Sequence, residues 1–182
     1  MIMEGRNDTQ SNIHYQHVPQ ERESFFEIRT KRLYMREITE QDAQTIVEMR
    51  SDPHVYRFFR APHAITLEEH LHWYKMKYLM QADRFDWIAF LGSQSVGVFA
   101  LSKQTSCTKA EVNYLIRSDN WGNGYAQEAV TALLEWAKTV WDVTVVCAII
   151  HCDNIASIRF AERMGFRKKD ANGCFFTYEK NI

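Results

Sequence analysis

The sequence has no excess of positive charge. Its 182 residues include 22 lysines and arginines against 23 aspartates and glutamates, which gives a net charge of −1. A protein that binds DNA or RNA by neutralising phosphates needs a basic surface. We therefore expect no nucleic-acid partner.

The sequence also has no long apolar run. No stretch approaches the roughly 20 apolar residues that a membrane-spanning helix needs. The N-terminal segment MIMEGRNDTQSNIHYQHVPQ is polar and lacks the apolar centre of a signal peptide. These absences predict a cytoplasmic protein with no membrane partner.

Cysteine is scarce, and four cysteines in a chain of this length fit reduced thiols better than a disulfide framework. The spacing of Cys147, His151 and Cys152 suggests a metal. However, Cys147 lies inside an apolar, strand-like run, and no second Cys/His pair has zinc spacing. His70 and His72 are two residues apart on a predicted helix, so they point to different sides. We predict that the protein holds no metal.

The composition is that of a globular protein, with 46% hydrophobic and 25% charged residues. The length suits one domain with a sizeable core. Residues 1–24 are predicted to be a flexible N-terminal segment, and residues 25–182 a single domain. The sequence contains no internal repeat and no low-complexity linker.

Hydrophobic periodicity predicts seven strands and four helices. The strands are predicted over residues 26–38, 85–91, 95–101, 110–117, 143–150, 166–169 and 174–179. The helices are predicted over residues 40–50, 67–81, 125–140 and 154–164. Thr66 and Glu69 form a capping box, and Gly165 ends the last helix. This order, βααβββαβαββ, indicates an α+β or mixed α/β domain.

The stretch NWGNGYAQEAV, residues 120–130, joins a predicted strand to a helix. Gly122 and Gly124 lack a Cβ, so the chain can turn sharply and a ligand can approach its backbone. The first amides of a helix have no internal partner and suit a phosphate. A dinucleotide-binding fold would place such a loop after its first strand, and a P-loop would continue with Lys-Ser/Thr rather than Tyr125-Ala126. A tight turn without a ligand is the alternative.

Two ordered blocks resemble the GNAT superfamily of N-acetyltransferases, especially its branch of ribosomal-protein N-terminal acetyltransferases. The first block is EVNYLIR, residues 111–117, followed by WGNGYA, residues 121–126. It resembles the family's acyl-CoA loop, Gln/Arg-x-x-Gly-x-Gly/Ala, with Trp121 at the Gln/Arg position. The second block is NIASIRFAERMGF, residues 154–166, which resembles the family's Asn-x-x-Ser…Gly-Phe block. The resemblance covers about residues 26–180.

The resemblance implies the acyl-CoA N-acyltransferase fold. This is a central, mostly antiparallel, twisted sheet of six to seven strands, splayed between the fourth and fifth strands, with helices on both faces. Acetyl-CoA would be the acyl-donor cosubstrate, and its pantetheine arm would pair with backbone exposed in the splay. The residues implied to bind it are Leu115, Ile116, Arg117, Trp121, Gly122, Asn123, Gly124, Tyr125, Ala126, Asn154 and Ser157.

N-acetylation needs a neutral amine, a stabilised oxyanion and a proton for the CoA thiolate. The resemblance implies Glu111 as a base that acts through water, with His151 as the alternative. Many family members carry a tyrosine as the acid seven residues after the asparagine, where this sequence has Ala161. Ser157 would then donate the proton, as in the resembling branch. A structural role for each side chain stays open.

The acceptor side is predicted to lie along residues 58–74. Phe59, Trp73 and Tyr114 are the candidate substrate-binding residues. The acceptor would be a primary amine, either a protein N-terminus or a small amine, and the enzyme a monomer or a homodimer.

Two alternatives remain for the function. The segment HLHWY is weakly similar to amino-sugar acetyltransferases, and a nucleotide-sugar acceptor would require a closed aromatic pocket with a basic rim, for example from Arg57 and Arg60. A peptide acceptor would require an open acidic groove. The third possibility is a non-catalytic acyl-CoA-binding module, which Ala161 favours.

Overall fold

Eight strands form one sheet in the computed structural model, which describes residues 26–103 and 108–182. The strands are β1 (Glu27–Arg29), β2 (Tyr34–Glu37), β3 (Arg84–Leu91), β4 (Gln94–Lys103), β5 (Lys109–Ile116), β6 (Val145–His151), β7 (Arg167–Asn172) and β8 (Phe175–Asn181). Their order across the sheet is β1-β2-β3-β4-β5-β6-β8-β7. The pair β5–β6 is parallel and the other neighbours are antiparallel, so the predicted mostly antiparallel sheet is confirmed.

The sheet has one strand more than the six to seven predicted, because the segment predicted as a single strand over residues 26–38 is a hairpin. The backbone amide of Thr30 donates to the carbonyl of Leu33 at 2.9 Å, and the amide of Leu33 donates to the hydroxyl of Thr30 at 2.9 Å. These bonds close a tight turn that contains neither glycine nor proline. The chain then pairs back on itself, with Ile28 opposite Met35.

The helices are α1 (Ala43–Arg50), α2 (Pro53–Tyr56), α3 (Leu67–Trp73), α4 (Tyr125–Trp141) and α5 (Ile155–Arg163). A π-helical turn, Tyr74–Tyr78, extends α3, and short 3₁₀ turns precede α1 and α4. The predicted capping box of Thr66 and Glu69 is present. Pro53 opens α2, where the Asp52 side chain accepts a hydrogen bond from the backbone amide of His54.

Strand alternation divides the core between the two faces of the sheet. Trp87 and Phe99 point to one face and pack with α4, whereas Ile88 and Val98 point to the other and pack with α1 and the π-helical turn. This is the period-two pattern of a sheet covered on both sides. The predicted helices on both faces are confirmed. Among the described residues, no helix combines the length and the apolar character needed to cross a bilayer.

A bulge in β4 brings two backbones into close contact next to the carboxyl end of β5. Ala89 pairs with Gly97 but Phe90 pairs with Ser95, so Val96 is the extra residue. Gly97 lies opposite Ile116, and a Cβ at Gly97 would lie 2.4 Å from the carbonyl oxygen of Leu115. Only glycine fits at this position without moving β5.

We expect Gly97→Ala to destabilise the protein by about 1–3 kcal/mol, the range found for overpacking a well-packed site. The added methyl group would press on backbone, which cannot rotate away as a side chain could. Urea denaturation followed by circular dichroism measures the change. Ser95→Ala, on the same strand, serves as the control. Equal stability of Gly97→Ala and the wild type would contradict the close approach.

Candidate functional site

The two parallel strands β5 and β6 pair over three residues only. Lys109, Ala110 and Glu111 lie opposite Val145, Val146 and Cys147. Beyond this point residues 112–116 of β5 and 148–151 of β6 pair with no strand of the described chain on the sides that face each other, although each strand stays paired on its other side. The predicted splay is confirmed, and it leaves backbone donors and acceptors free for an extended ligand.

The splay opens into two adjoining cavities. The smaller, of about 130 Å³, lies in the cleft and is lined in part by His151, Asn154 and Ser157. The larger, of about 400 Å³, lies toward α1 and α3. Five residues line both cavities: Phe58, Phe59, Asn113, Tyr114 and Ile149. A group bound in one cavity can therefore meet a group bound in the other.

The glycine loop lies at the carboxyl end of β5. Gly122 and Gly124 both have φ +78°, a conformation that L side chains rarely adopt. Gly124 is the N-cap of α4, and it offers no side chain to the first helical amides. Trp121 donates its indole N–H to the carbonyl of Ile116 at 2.9 Å, which anchors the start of the loop. The loop therefore presents bare amides at the amino end of a 17-residue helix.

An ion pair that no sequence pattern indicated holds the first hairpin against this loop. Arg32 contacts Glu128 through its Nε at 2.6 Å and donates to the carbonyl of Asn123 at 3.0 Å. Thr30 donates its hydroxyl to Glu128 at 2.5 Å. The guanidinium of Arg32 also lies 4.8 Å from the ring centre of Tyr125. A cation thus lies beside the bare amides.

Burial opposes ionisation of Glu128, but the hydrogen bonds from Thr30 and Arg32 outweigh it and lower the pKa of the carboxyl to about 2. The carboxylate is therefore charged at any pH near neutrality.

The candidate base Glu111 and the three predicted substrate-binding residues line the larger cavity together. Glu111 lies on β5, and its carboxylate accepts a hydrogen bond from the side-chain NH₂ group of Asn113 at 3.0 Å. Phe59, Trp73 and Tyr114 form part of the same wall. The structure therefore brings these four predicted residues together in one cavity.

Asn154 and Ser157 lie at the amino end of α5, in the smaller cavity. The side-chain oxygen of Asn154 accepts from the amide of Ser157 at 3.1 Å, so it caps the helix. The hydroxyl of Ser157 lies 3.4 Å from the hydroxyl of Tyr114. Burial raises the pKa of Tyr114, which keeps this phenol protonated. Ala161 is buried in the same wall.

His151 lies at the end of β6 and lines the smaller cavity only. Its Nδ1 accepts a hydrogen bond from the amide of Asp153 at 3.2 Å, and its ring lies between those of Phe58 and Phe175. His151 and Glu111 therefore do not line the same cavity.

The possible metal ligands that lie close together in the structure differ from those that the sequence spacing suggests. Among the described residues, His151, Cys152 and Cys174 place their ligand atoms within 4.8 Å of one another. Cys147 is buried in β6 and is not part of this group. His70 is buried in the wall of the larger cavity, while His72 is exposed.

Comparison with known proteins identifies the family. Residues 32–167 match the model of the acetyltransferase (GNAT) domain. The uncharacterised N-acetyltransferase YoaA of Bacillus subtilis is 27% identical over 151 residues, which cover 78% of this chain and 83% of YoaA. The chain belongs to the GNAT acetyltransferase family, as the two sequence blocks predicted, and it is an acyltransferase.

Solved structures confirm the predicted fold. The structure of RimL, a ribosomal L7/L12 alpha-N-protein acetyltransferase in complex with coenzyme A, superposes with a TM-score of 0.76 at 17% identity, over 86% of this chain and 98% of that one. Spermidine N-acetyltransferase from Vibrio cholerae, in complex with CoA and spermine, gives 0.73 at 15% identity, over 82% and 95%. Both comparisons show that these proteins share the fold of this chain.

We expect Glu128→Gln to lower the melting temperature at pH 7 by about 2–4 °C, which corresponds to roughly 1 kcal/mol in a chain of this size. Because the pKa of Glu128 is lowered from 4.5 to about 2, its contribution is fully present above pH 4.5 and is lost as the pH falls towards 2. The difference between variant and wild type should shrink over this window. Calorimetric melting across pH 3–7 measures it.

The control for this prediction is Glu135→Gln, an exposed carboxylate on the same helix. A difference for Glu128→Gln that stays constant with pH would contradict the assigned role of the ion pair.

Proposed function

We propose that this protein transfers the acetyl group of acetyl-CoA to a primary amine by direct attack in a ternary complex. The observation that carries the proposal is the adjacency of three features: the splayed strand edges, the bare amides of the glycine loop, and a cavity that contains a carboxylate. The first two suit a long, anionic, thioester-bearing cosubstrate. The third suits the acceptor.

In this proposal the pyrophosphate of acetyl-CoA binds the amides of residues 122–126, and Arg32 adds a positive charge beside them. The pantetheine arm lies in the splay along Leu115 and Ile116, with Asn154 on the opposite side. Because the helical cap uses only the oxygen of the Asn154 side chain, its NH₂ group is left to donate to the arm. The thioester then lies where the two cavities meet.

Glu111 is the proposed base. An acceptor amine is protonated at neutral pH and must lose a proton before it attacks. The carboxylate of Glu111 lines the acceptor cavity and can take that proton through water. The free amine attacks the thioester carbonyl, and the tetrahedral intermediate then expels the CoA thiolate. Positioning of the two substrates accounts for much of the remaining rate.

The hydroxyl pair of Ser157 and Tyr114 is the proposed source of the proton for the thiolate. The two oxygens are 3.4 Å apart, and Tyr114 belongs to both cavities. The pair compensates for Ala161, at which many family members have a tyrosine. It also weighs against a non-catalytic binding module, because a donor is available where the thiolate would form. His151 is the alternative base, reached from the cofactor side.

The shape and charge of the larger cavity favour a small amine over a peptide N-terminus. Six aromatic residues line it, with three arginines and two carboxylates: Phe58, Phe59, Trp73, Phe99, Tyr114, Phe175, Arg50, Arg60, Arg84, Asp86 and Glu111. A peptide acceptor was expected to need an open acidic groove, which this wall does not resemble. An amino sugar carried on a nucleotide is the second candidate, since it calls for aromatic walls with basic groups.

Gly124→Asp should abolish binding of acetyl-CoA, because it places a carboxylate among the amides that would hold the pyrophosphate. The Cβ of the new side chain would lie 3.5 Å from the guanidinium of Arg32. The new carboxylate would therefore also neutralise the charge of Arg32. Calorimetric titration with acetyl-CoA measures the loss, with ATP and NADH as competing ligands. Gly92→Asp is the matched control, since Gly92 also has positive φ but lies in the turn between β3 and β4. Unchanged affinity in Gly124→Asp would remove the loop from the proposal.

Glu111→Gln should lower kcat by about 100-fold or more, the lower end of what a general base contributes, while acetyl-CoA binding stays unchanged. The pH–rate profile of the variant should differ from that of the wild type. Glu179→Gln is the control, because Glu179 is a strand carboxylate that pairs with Lys109 outside both cavities. An unaltered profile would transfer the role of base to His151.

A further inference from the structure

Arg50, the last residue of α1, lies in the wall of the larger cavity and forms no salt bridge with any of the described residues. Its Nε atom is sealed from solvent and has no hydrogen-bond partner among the described residues. The guanidinium lies 5.2 Å from the ring centre of Phe59. Burial lowers the pKa of Arg50, and the nearby Arg84 adds to this effect. A cation held in this way is unfavourable unless a ligand compensates it.

The other charged groups of the cavity do not compensate Arg50. Asp86 attracts it, but Asp86 accepts two hydrogen bonds from Arg84, at 2.7 and 3.0 Å. Glu111 lies on β5 and is held by Asn113. Arg60 adds a third cation at the exposed end of the cavity, over the ring of Phe175. The cavity therefore contains three cations and two carboxylates, and one carboxylate is engaged by Arg84.

His70 lies beside Arg50 and is a second polar side chain without a hydrogen-bond partner in the described part of the chain. It is 3% exposed, yet its imidazole makes no hydrogen bond within the described residues, and it packs 5.4 Å from the ring centre of Trp73. Burial, and then the charge of Arg50, lower the pKa of His70 to about 4. The ring is therefore neutral at pH 7 and can donate or accept one hydrogen bond.

We infer that Arg50 and His70 form an anion subsite, so that the acceptor is an amine that also carries a carboxylate or phosphate group. The anion would bind the guanidinium through charge-assisted hydrogen bonds, with His70 bonding a further oxygen. The amine at the other end of the acceptor would reach Glu111. This inference rests on the proposed function and names the substrate class for the same cavity. A polyamine would instead bring positive charge against Arg50.

The test compares matched pairs of amines that differ in one anionic group. The pairs are O-phosphorylethanolamine and ethanolamine, glucosamine 6-phosphate and glucosamine, and β-alanine and propylamine. In at least one pair, kcat/KM for the amine with the anionic group should exceed that for the amine without it by about 10- to 100-fold. This is the range for a hydrogen bond to a charged group. The first two pairs test phosphate and the third tests carboxylate. Equal or better use of the neutral member in every pair that reacts overturns the inference.

Variants at position 50 assign the preference to Arg50. Arg50→Met should reduce the ratio between the paired amines to about one, and Arg50→Lys should leave an intermediate ratio because it keeps the charge but not the planar fork. Arg29→Met is the control, since Arg29 is an exposed residue of β1 remote from both cavities. Because Arg50→Met removes a half-buried charge that has no ion-pair partner among the described residues, its melting temperature should be unchanged or higher. A ratio that survives in Arg50→Met overturns the inference.

A binding measurement keeps the inference separate from the proposed function. Inorganic pyrophosphate is titrated by calorimetry into enzyme saturated with CoA, so that the glycine loop is already occupied. Binding to the wild type and to Arg29→Met, with loss in Arg50→Met, supports the subsite even if none of the six amines reacts. If no amine reacts and pyrophosphate does not bind, the subsite is wrong. Failure of acetyl-CoA itself to bind would instead refute the proposed function.

Discussion

The rest of the site depends on a parallel pairing that stops after three residues. The strands β5 and β6 are joined from Lys109 to Glu111 and then separate, while their outer edges stay paired. A sheet that continued its ladder would have satisfied these backbone groups internally and closed the cleft. The same separation places the glycine loop at the end of one strand and the cap of α5 just after the other. The cleft, the glycine loop and the cap of α5 thus lie next to one another at the interrupted pairing.

In the proposed function, two cavities that share a wall bind the donor and the acceptor separately. The smaller cavity extends from the unpaired edges of β5 and β6 to the amino end of α5, which suits the proposed acetyl-CoA site. The acceptor side is composed of aromatic and charged side chains from α1, α3 and the neighbouring strands. Tyr114 lies between them, stacked on Phe99 and in edge contact with Phe160. Variation of the acceptor wall can therefore change the substrate while the donor side is preserved.

The sequence predicted those parts of the fold and site that local patterns determine. Apolar alternation and helical spacing predicted the order of the strands and main helices. The two sequence blocks that resemble the GNAT family predicted the glycine loop and the splay. The turn at Thr30–Leu33 was missed because it uses side-chain bonding rather than glycine or proline. Contacts across long separations have no local pattern, so the pair of Arg32 and Glu128, 96 residues apart, could not be predicted. The same is true of Arg50, whose position in the cavity depends on how α1 packs.

The distribution of the tryptophans has a spectroscopic consequence. Trp87, Trp136 and Trp141 form a packed cluster behind the sheet, with ring centres 5.0–5.1 Å apart. Trp121 lies on the glycine loop and is 48% exposed, and Trp73 lies in the wall of the larger cavity. One indole thus lies at the proposed donor side and another at the proposed acceptor side. Intrinsic fluorescence, with either of these two indoles replaced by phenylalanine, would report occupancy of the two half-sites separately and without an attached dye.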